Sequence, residues 1–134
     1  FVNRDGIGFL LEIMPHVMFG GLVHEQPLTL ARRLSEILPG DVNRVFFTDS
    51  GSVSVEVAMK MAIQYWLNAG QSRRHRFVCF RGGYHGDTLA TMAISDFETG
   101  IHQKFSGLLQ QHLTAALPED EASEAELAAQ SASG

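Results

Sequence analysis

The chain reads as an α/β protein built on a largely parallel sheet, and three stretches of sequence carry that reading. Val45-Phe46-Phe47 and Phe77-Val78-Cys79-Phe80 are short β-branched and aromatic runs bounded by turn residues, the pattern of strands buried in a sheet. Between them runs a helical stretch from about Val53 to Leu67, so the order is strand, helix, strand. Such a crossover is right-handed and lays its strands parallel, with ligands meeting the loops at the carboxyl ends of the strands.

The remaining elements follow from spacing and breakers. Residues 7–19 are rich in apolar side chains, and Pro15 confines a helix there to an end near Met14. Gly20-Gly21 makes a turn. Leu28, Leu30, Ala31, Leu34, Ile37 and Leu38 recur at helical spacing with Arg32, Arg33 and Glu36 on the other side. This predicts an amphipathic helix from Pro27 to Leu38, stopped by Pro39-Gly40. In the helix from Val53, apolar residues occupy every side but one, where Ser52, Glu56, Lys60 and Gln64 fall four apart. That pattern predicts a mostly buried helix with one polar edge, on which Glu56 and Lys60 form a favourable pair. Asn68-Ala69-Gly70 ends it, and a short helix is expected over Leu89 to Ile94.

Composition narrows the function. With 134 residues and 45% hydrophobic content, the chain suits one globular domain. A net charge of -5 argues against a nucleic-acid surface, and Arg73-Arg74-His75-Arg76 is only a short basic turn before a strand. The single cysteine, Cys79, lies in an apolar run and is expected to be a small buried hydrophobe. The six histidines lack metal-ligand spacing, so no metal site is expected. No apolar stretch reaches membrane-spanning length and the N-terminus carries no leader pattern, so the expectation is a soluble cytoplasmic protein without a membrane partner. The chain starts at Phe1 without an initiator Met and ends in an acidic, Ala/Ser-rich run from Pro118 to Gly134. These ends are expected to belong to a partial chain whose tail is either flexible or a short surface helix.

Two turns carry chemistry. Thr48-Asp49-Ser50-Gly51-Ser52 places small residues, hydroxyl donors and the first N–H groups of a helix together, which favours a phosphorylated ligand. Its plainer reading is ordinary helix capping. Arg81-Gly82-Gly83-Tyr84-His85-Gly86-Asp87-Thr88 sets three glycines around Tyr84 and His85, so a bent backbone presents a ring at the end of a strand. That ring can stack on a flat heterocycle whose phosphate occupies the first turn. The plainer readings are Tyr84 as a sheet-edge cap, His85 as a structural histidine and Asp87-Thr88 as the cap of the next helix. Gly6-Ile7-Gly8 lacks the third glycine of a dinucleotide fingerprint, Gly51-Ser52 is not a nucleophile elbow, and no Gly-Lys-Ser/Thr phosphate loop occurs.

Taken together, Thr48 to Val53 leading into Glu56-Val57-Ala58-Met59-Lys60-Met61-Ala62, then Arg81 to Thr88, resemble the class III pyridoxal-phosphate aminotransferases. The resemblance runs from about His16 to Leu117. His16-Val17-Met18-Phe19-Gly20-Gly21 and Gln64-Tyr65-Trp66 point to the branch of the family that acts in biotin biosynthesis. The resemblance implies that residues 1–117 are part of the large domain of a fold type I transferase, an α/β/α sandwich, with 118–134 as a tail. It implies a homodimer in the full-length protein and pyridoxal 5'-phosphate as cofactor. Gly51 and Ser52 match the positions that hold the phosphate, and Tyr84 matches the aromatic that stacks on the pyridine ring and borders the substrate. The implied reaction moves an amino group from S-adenosylmethionine to 8-amino-7-oxononanoate.

A transaminase also needs a lysine to form a Schiff base and shuttle a proton, and an acid to keep the pyridine nitrogen protonated. In the family both lie well beyond the Tyr-His-Gly turn. The lysines here are Lys60 and Lys104, and neither matches the family's catalytic context. No catalytic residue is therefore assigned, and the chain alone is expected to be inactive. Two alternatives remain open: a noncatalytic binding or assembly module on the same fold, and a class III enzyme with another amino donor.

Overall fold

The computed structural model describes residues 21–96 and 100–133, in two units formed by residues 1–46 and 47–134. The helix expected to end near Met14 lies outside the described residues. In the first unit, α1 (Glu25–Ile37) starts two positions ahead of Pro27, which therefore falls in the first turn. An N–H is not needed there, because the first turn has no carbonyl to receive it. The helix stops as expected: Leu38 donates its N–H to the Leu34 carbonyl at 3.1 Å and then turns extended ahead of Pro39.

The strand expected at Val45-Phe46-Phe47 is not formed, and residues 42–48 stay outside any sheet. A strand exists only as half of a ladder, and the ladder among the described residues joins two later segments. β1 (Val78–Phe80) pairs in parallel with β2 (Leu113–Ala115), with Cys79 opposite Thr114. The parallel sheet is as the sequence predicts, but β1 takes a partner from further down the chain. The Cys79 side chain is buried as expected, and its thiol donates to the Leu113 carbonyl at 3.4 Å.

Ahead of β1 in the chain runs α2 (Gly51–Asn68). Ser50 caps it by accepting the Val53 N–H at 3.2 Å. Its far end closes on Gly70, whose φ of +73° allows the Gln71 N–H to reach back to the Trp66 carbonyl at 2.8 Å. Contrary to the expectation of a mostly buried helix, only Met59 of α2 is buried, while Met61, Tyr65 and Leu67 are exposed. The helix packs through one face onto a core of Met59, Cys79 and Ile94, supported by Val55, Phe77 and Ala90. An all-round apolar helix needs cover on every side, and the described residues supply it on one.

The second unit continues with α3 (Leu89–Ala93), a short 3-10 helix over Gln103–Leu108, β2 and α4 (Glu121–Ser133). The acidic, Ala/Ser-rich residues 121–133 are helical. Asp120 and Ser123 cap α4 reciprocally: the Ser123 N–H donates to Asp120 Oδ1 at 2.8 Å, and the Asp120 N–H donates to Ser123 Oγ at 3.1 Å. At the start of the sheet, buried His112 accepts the Phe77 N–H on Nδ1 at 3.4 Å while its ring meets Phe77 edge-on at 5.5 Å.

Candidate functional site

The structure brings the two turns singled out by sequence into direct contact. Within the first, Thr48 donates its hydroxyl to the Ser50 carbonyl at 3.0 Å, and Ser50 in turn receives the Val53 and Ser54 N–H groups on its side chain and carbonyl. The remaining first-turn donors of α2 are the N–H groups of Gly51 and Ser52, which have no acceptor among the described residues. A Cβ placed on Gly51 meets nothing within 4 Å, so a side chain's place there is clear. Helix polarity adds partial positive charge at the same point.

Gly86 is the joint between the turns. It is buried, with φ of +132°, and a Cβ built on it falls 2.3 Å from Ser52 Oγ and 2.9 Å from Ser52 Cα. Only glycine permits that approach. The next residue, Asp87, donates its N–H to Ser52 Oγ at 3.2 Å, so Ser52 is held by an acceptor bond while its hydroxyl proton remains available to a ligand.

Tyr84 sits three positions before Asp87 and is 59% exposed. Its hydroxyl donates to Asp87 Oδ2 at 2.7 Å. The other carboxylate oxygen, Oδ1, lies 2.9 Å from His102 Nε2, and because a carboxylate only accepts, Nε2 carries the proton. The His102 ring also stacks under Tyr84, with centroids 5.7 Å apart and planes inclined by 24°. The hydrogen bonds from His102 and Tyr84 hold the Asp87 carboxyl below its usual range. The same carboxylate pushes the Tyr84 phenol up, by accepting its proton and by disfavouring a second negative charge nearby.

A polar network beneath the loop fixes its height. The Asp96 carboxylate accepts the Gly82 N–H at 2.8 Å, and the Asp96 N–H returns to the Gly83 carbonyl at 2.8 Å. Ser95 Oγ accepts the His85 N–H at 3.0 Å and donates to the Thr91 carbonyl at 2.8 Å. The Thr88 hydroxyl donates to the Glu56 carboxylate, tying the second turn to α2. Thr91 and Ser95 are fully buried, yet both hydroxyls are satisfied. Glu56 thus serves Thr88 rather than the Lys60 partner that helical spacing predicts.

The three positions marked by sequence lie on the two joined turns, Gly51 and Ser52 on the first and Tyr84 on the second, with Asp87 bonded to both Ser52 and Tyr84. Sequence reasoning left Asp87 open between site and loop architecture; its N–H and both carboxylate oxygens make it the link between Ser52, Tyr84 and His102. In the sequence His102 is one of six scattered histidines. Its only local signal is a polar ring set between Ile101 and Gln103, and nothing in that spacing announces a partner 15 positions earlier.

Among the described residues, no helix is long and apolar enough to cross a membrane, and no cluster of His, Cys, Asp and Glu could hold a metal ion.

Comparison with known proteins shows the family and the fold. The Aminotransferase class-III family matches residues 10–133. The adenosylmethionine-8-amino-7-oxononanoate aminotransferase of Mycobacterium leprae is 50% identical over 105 residues, covering 78% of this chain and 24% of that protein. The structure of the enzyme of that name from Methanocaldococcus jannaschii superposes with a TM-score of 0.79 at 31% identity, over 86% of this chain and 26% of that one. An amine transaminase from an uncultivated Pseudomonas species, solved with pyridoxal phosphate bound, superposes with a TM-score of 0.71 at 30% identity, over 83% of this chain and 25% of that one. The chain therefore spans about a quarter of the length of the relatives it matches. It carries an α/β portion of the fold type I architecture and belongs to the class III aminotransferase family.

Proposed function

We propose that these residues form the cofactor grip of a pyridoxal-phosphate aminotransferase that moves an amino group from S-adenosylmethionine to 8-amino-7-oxononanoate. The observation that carries this reading is the contact between the turns through Gly86, which puts Ser52 and Tyr84 on one short path. The Gly51 and Ser52 N–H groups and the Ser52 hydroxyl are the donors we assign to a phosphate, and the position of a Gly51 side chain is clear. The Tyr84 ring, covered on one face by His102, offers its other face to a flat heterocycle and to the substrate beside it. The residues present therefore fit the cofactor, whose ring supplies the electron sink for transamination when bound.

The named relatives support the choice of substrates, and 50% identity to one of them favours that branch of the family. We assign residues 1–117 to the large domain and 118–134 to a surface tail, within a protein that works as a homodimer. Lys60 lies about 12 Å along the α2 axis from Ser52, and Lys104 sits in the 3-10 helix. We assign neither as the catalytic lysine, so these residues bind the cofactor but do not transaminate by themselves.

Titration of the 134-residue chain with pyridoxal phosphate and with pyridoxal tests the grip. S52A is expected to weaken pyridoxal phosphate about tenfold or more, the effect of losing a hydrogen bond to a charged group. Pyridoxal, which lacks the phosphate, is expected to bind S52A and the parent alike. Equal losses for both ligands, or no binding of either by the parent, would overturn the reading. A covalent adduct trapped by borohydride on one unique lysine would overturn the claim that the chain lacks its catalytic amine.

A further inference from the structure

We infer that His102 is a positioning residue for Tyr84, acting through the Asp87 carboxylate. The inference rests on the reading of Tyr84 as the ring that meets the cofactor.

An exposed tyrosine on a glycine-rich loop has two soft torsions and no reason to hold one orientation. Here Asp87 holds its hydroxyl at 2.7 Å. Asp87, however, is itself a surface residue, with 67% of its side chain exposed, and a solvated carboxylate exchanges partners with water freely. What separates it from an ordinary surface aspartate is the second bond, at 2.9 Å, to a histidine that is only 4% exposed. A buried imidazole cannot swing away with solvent, so it gives the carboxylate a fixed direction. His102 completes the arrangement by lying under the Tyr84 ring. The phenol is thereby held at its hydroxyl and on one face, leaving the opposite face outward. Nothing in this arrangement requires His102 to touch cofactor or substrate.

The hydrogen bond and the stacked ring are separable by substitution. H102F keeps an aromatic ring under Tyr84 and removes the donor, whereas H102Q keeps an N–H at similar reach and removes the ring. The readout is the phenol titration of Tyr84, followed by phenolate absorbance. It is made in a Y65F background, where Tyr84 is the only tyrosine. In the parent the midpoint lies above the ordinary value because Asp87 accepts the phenol proton. In H102F the midpoint is expected to fall by about half a pH unit or more, as the carboxylate loses its direction. In H102Q it is expected to stay within about 0.2 unit of the parent.

A midpoint in H102F that is unchanged or raised would overturn the inference, since Asp87 would then hold Tyr84 unaided. A fall in H102Q as large as that in H102F would also overturn it, by showing that any change at this position disturbs the loop. If H102F fails to fold, H102A, which also lacks the donor, takes its place beside H102Q: a fall in H102A with none in H102Q supports the inference, and equal midpoints overturn it. The titration needs no cofactor. The hold of His102 on Tyr84 can therefore fail while pyridoxal phosphate still binds, and a parent that does not bind leaves the titration result standing against the functional reading alone.

Discussion

Gly86 has room for a hydrogen atom and nothing larger. Its backbone sits at φ of +132°, and a methyl group there would lie 2.3 Å from the Ser52 hydroxyl and 2.9 Å from the Ser52 Cα. Relief would require moving the backbone of α2 itself rather than a side-chain tip. G86A is therefore expected to cost about 2–4 kcal/mol, combining backbone strain with overpacking. It should also separate the two halves of the cofactor grip. G51A is the contrasting case, since its methyl meets open space and its stability should change by less than about 0.5 kcal/mol. Amide exchange of α2 and β1, read beside pyridoxal phosphate affinity, checks both: G86A should lose protection and affinity together, while G51A should lose affinity alone. The two turns that hold Gly51, Ser52 and Tyr84 were legible as turns because glycines and small polar residues interrupt the apolar runs around them. That Gly86 and Asp87 touch Ser52 was not, because the contact with Asp87 spans 35 positions and depends on how two loops meet.

Elements governed by local spacing were legible, and those defined by distant pairing were not. α1, α2 and α3 follow from period and breakers, and each lies within a few residues of its expected range. Val45-Phe46-Phe47 has the composition of a strand yet joins no ladder, while Leu113-Thr114-Ala115 has little to mark it and becomes β2. A strand is settled by what lies beside it, and three residues carry too little pattern to reveal that. The junction of β1 and β2 also contains an element-scale switch in His112. Its Nδ1 accepts the Phe77 N–H, a bond that only the unprotonated nitrogen can make. Burial, with Arg76 and His75 nearby, pushes the His112 pKa below its ordinary 6.5. The unfolded chain therefore takes up this proton first, so the contribution is complete above about pH 6.5 and is lost as pH falls below it. Exchange protection of the β1 amides should drop between pH 7.5 and pH 5.5. H112N, whose side-chain oxygen accepts the same N–H without titrating, should flatten that dependence. An equal drop in both proteins would remove His112 as its cause.

At the scale of the whole molecule, the balance between buried and exposed apolar surface sets the behaviour. The buried apolar residues among those described are Met59, Cys79, Met92, Ala93 and Ile94, a small core for a chain that is 45% hydrophobic. Large apolar side chains stand exposed in both units: Ile37 at 74% in the first, and Tyr65, Leu89 and Leu108 at 65%, 62% and 77% in the second. α2 contributes to this because its apolar residues wrap around the helix while one face packs. Among the described residues the sheet has two strands, so both its outer edges lack a neighbouring strand, which favours pairing with other chains. Exposed apolar helix faces beside open strand edges drive association, and a small core gives little cooperativity against it. The 134-residue chain is accordingly expected to self-associate at micromolar concentration and to lose structure over a broad temperature range. Sedimentation velocity across a concentration series, with calorimetry on the same samples, checks this. A monodisperse monomer with one sharp transition would show that the exposed faces are tolerated and that the core is larger than the buried residues indicate. Added pyridoxal phosphate separates the site from the surface: it should protect the amides around Ser52 and Gly86 by mass action and leave the association unchanged, because the exposed residues at the far end of α2 lie turns away from Ser52 along the helix.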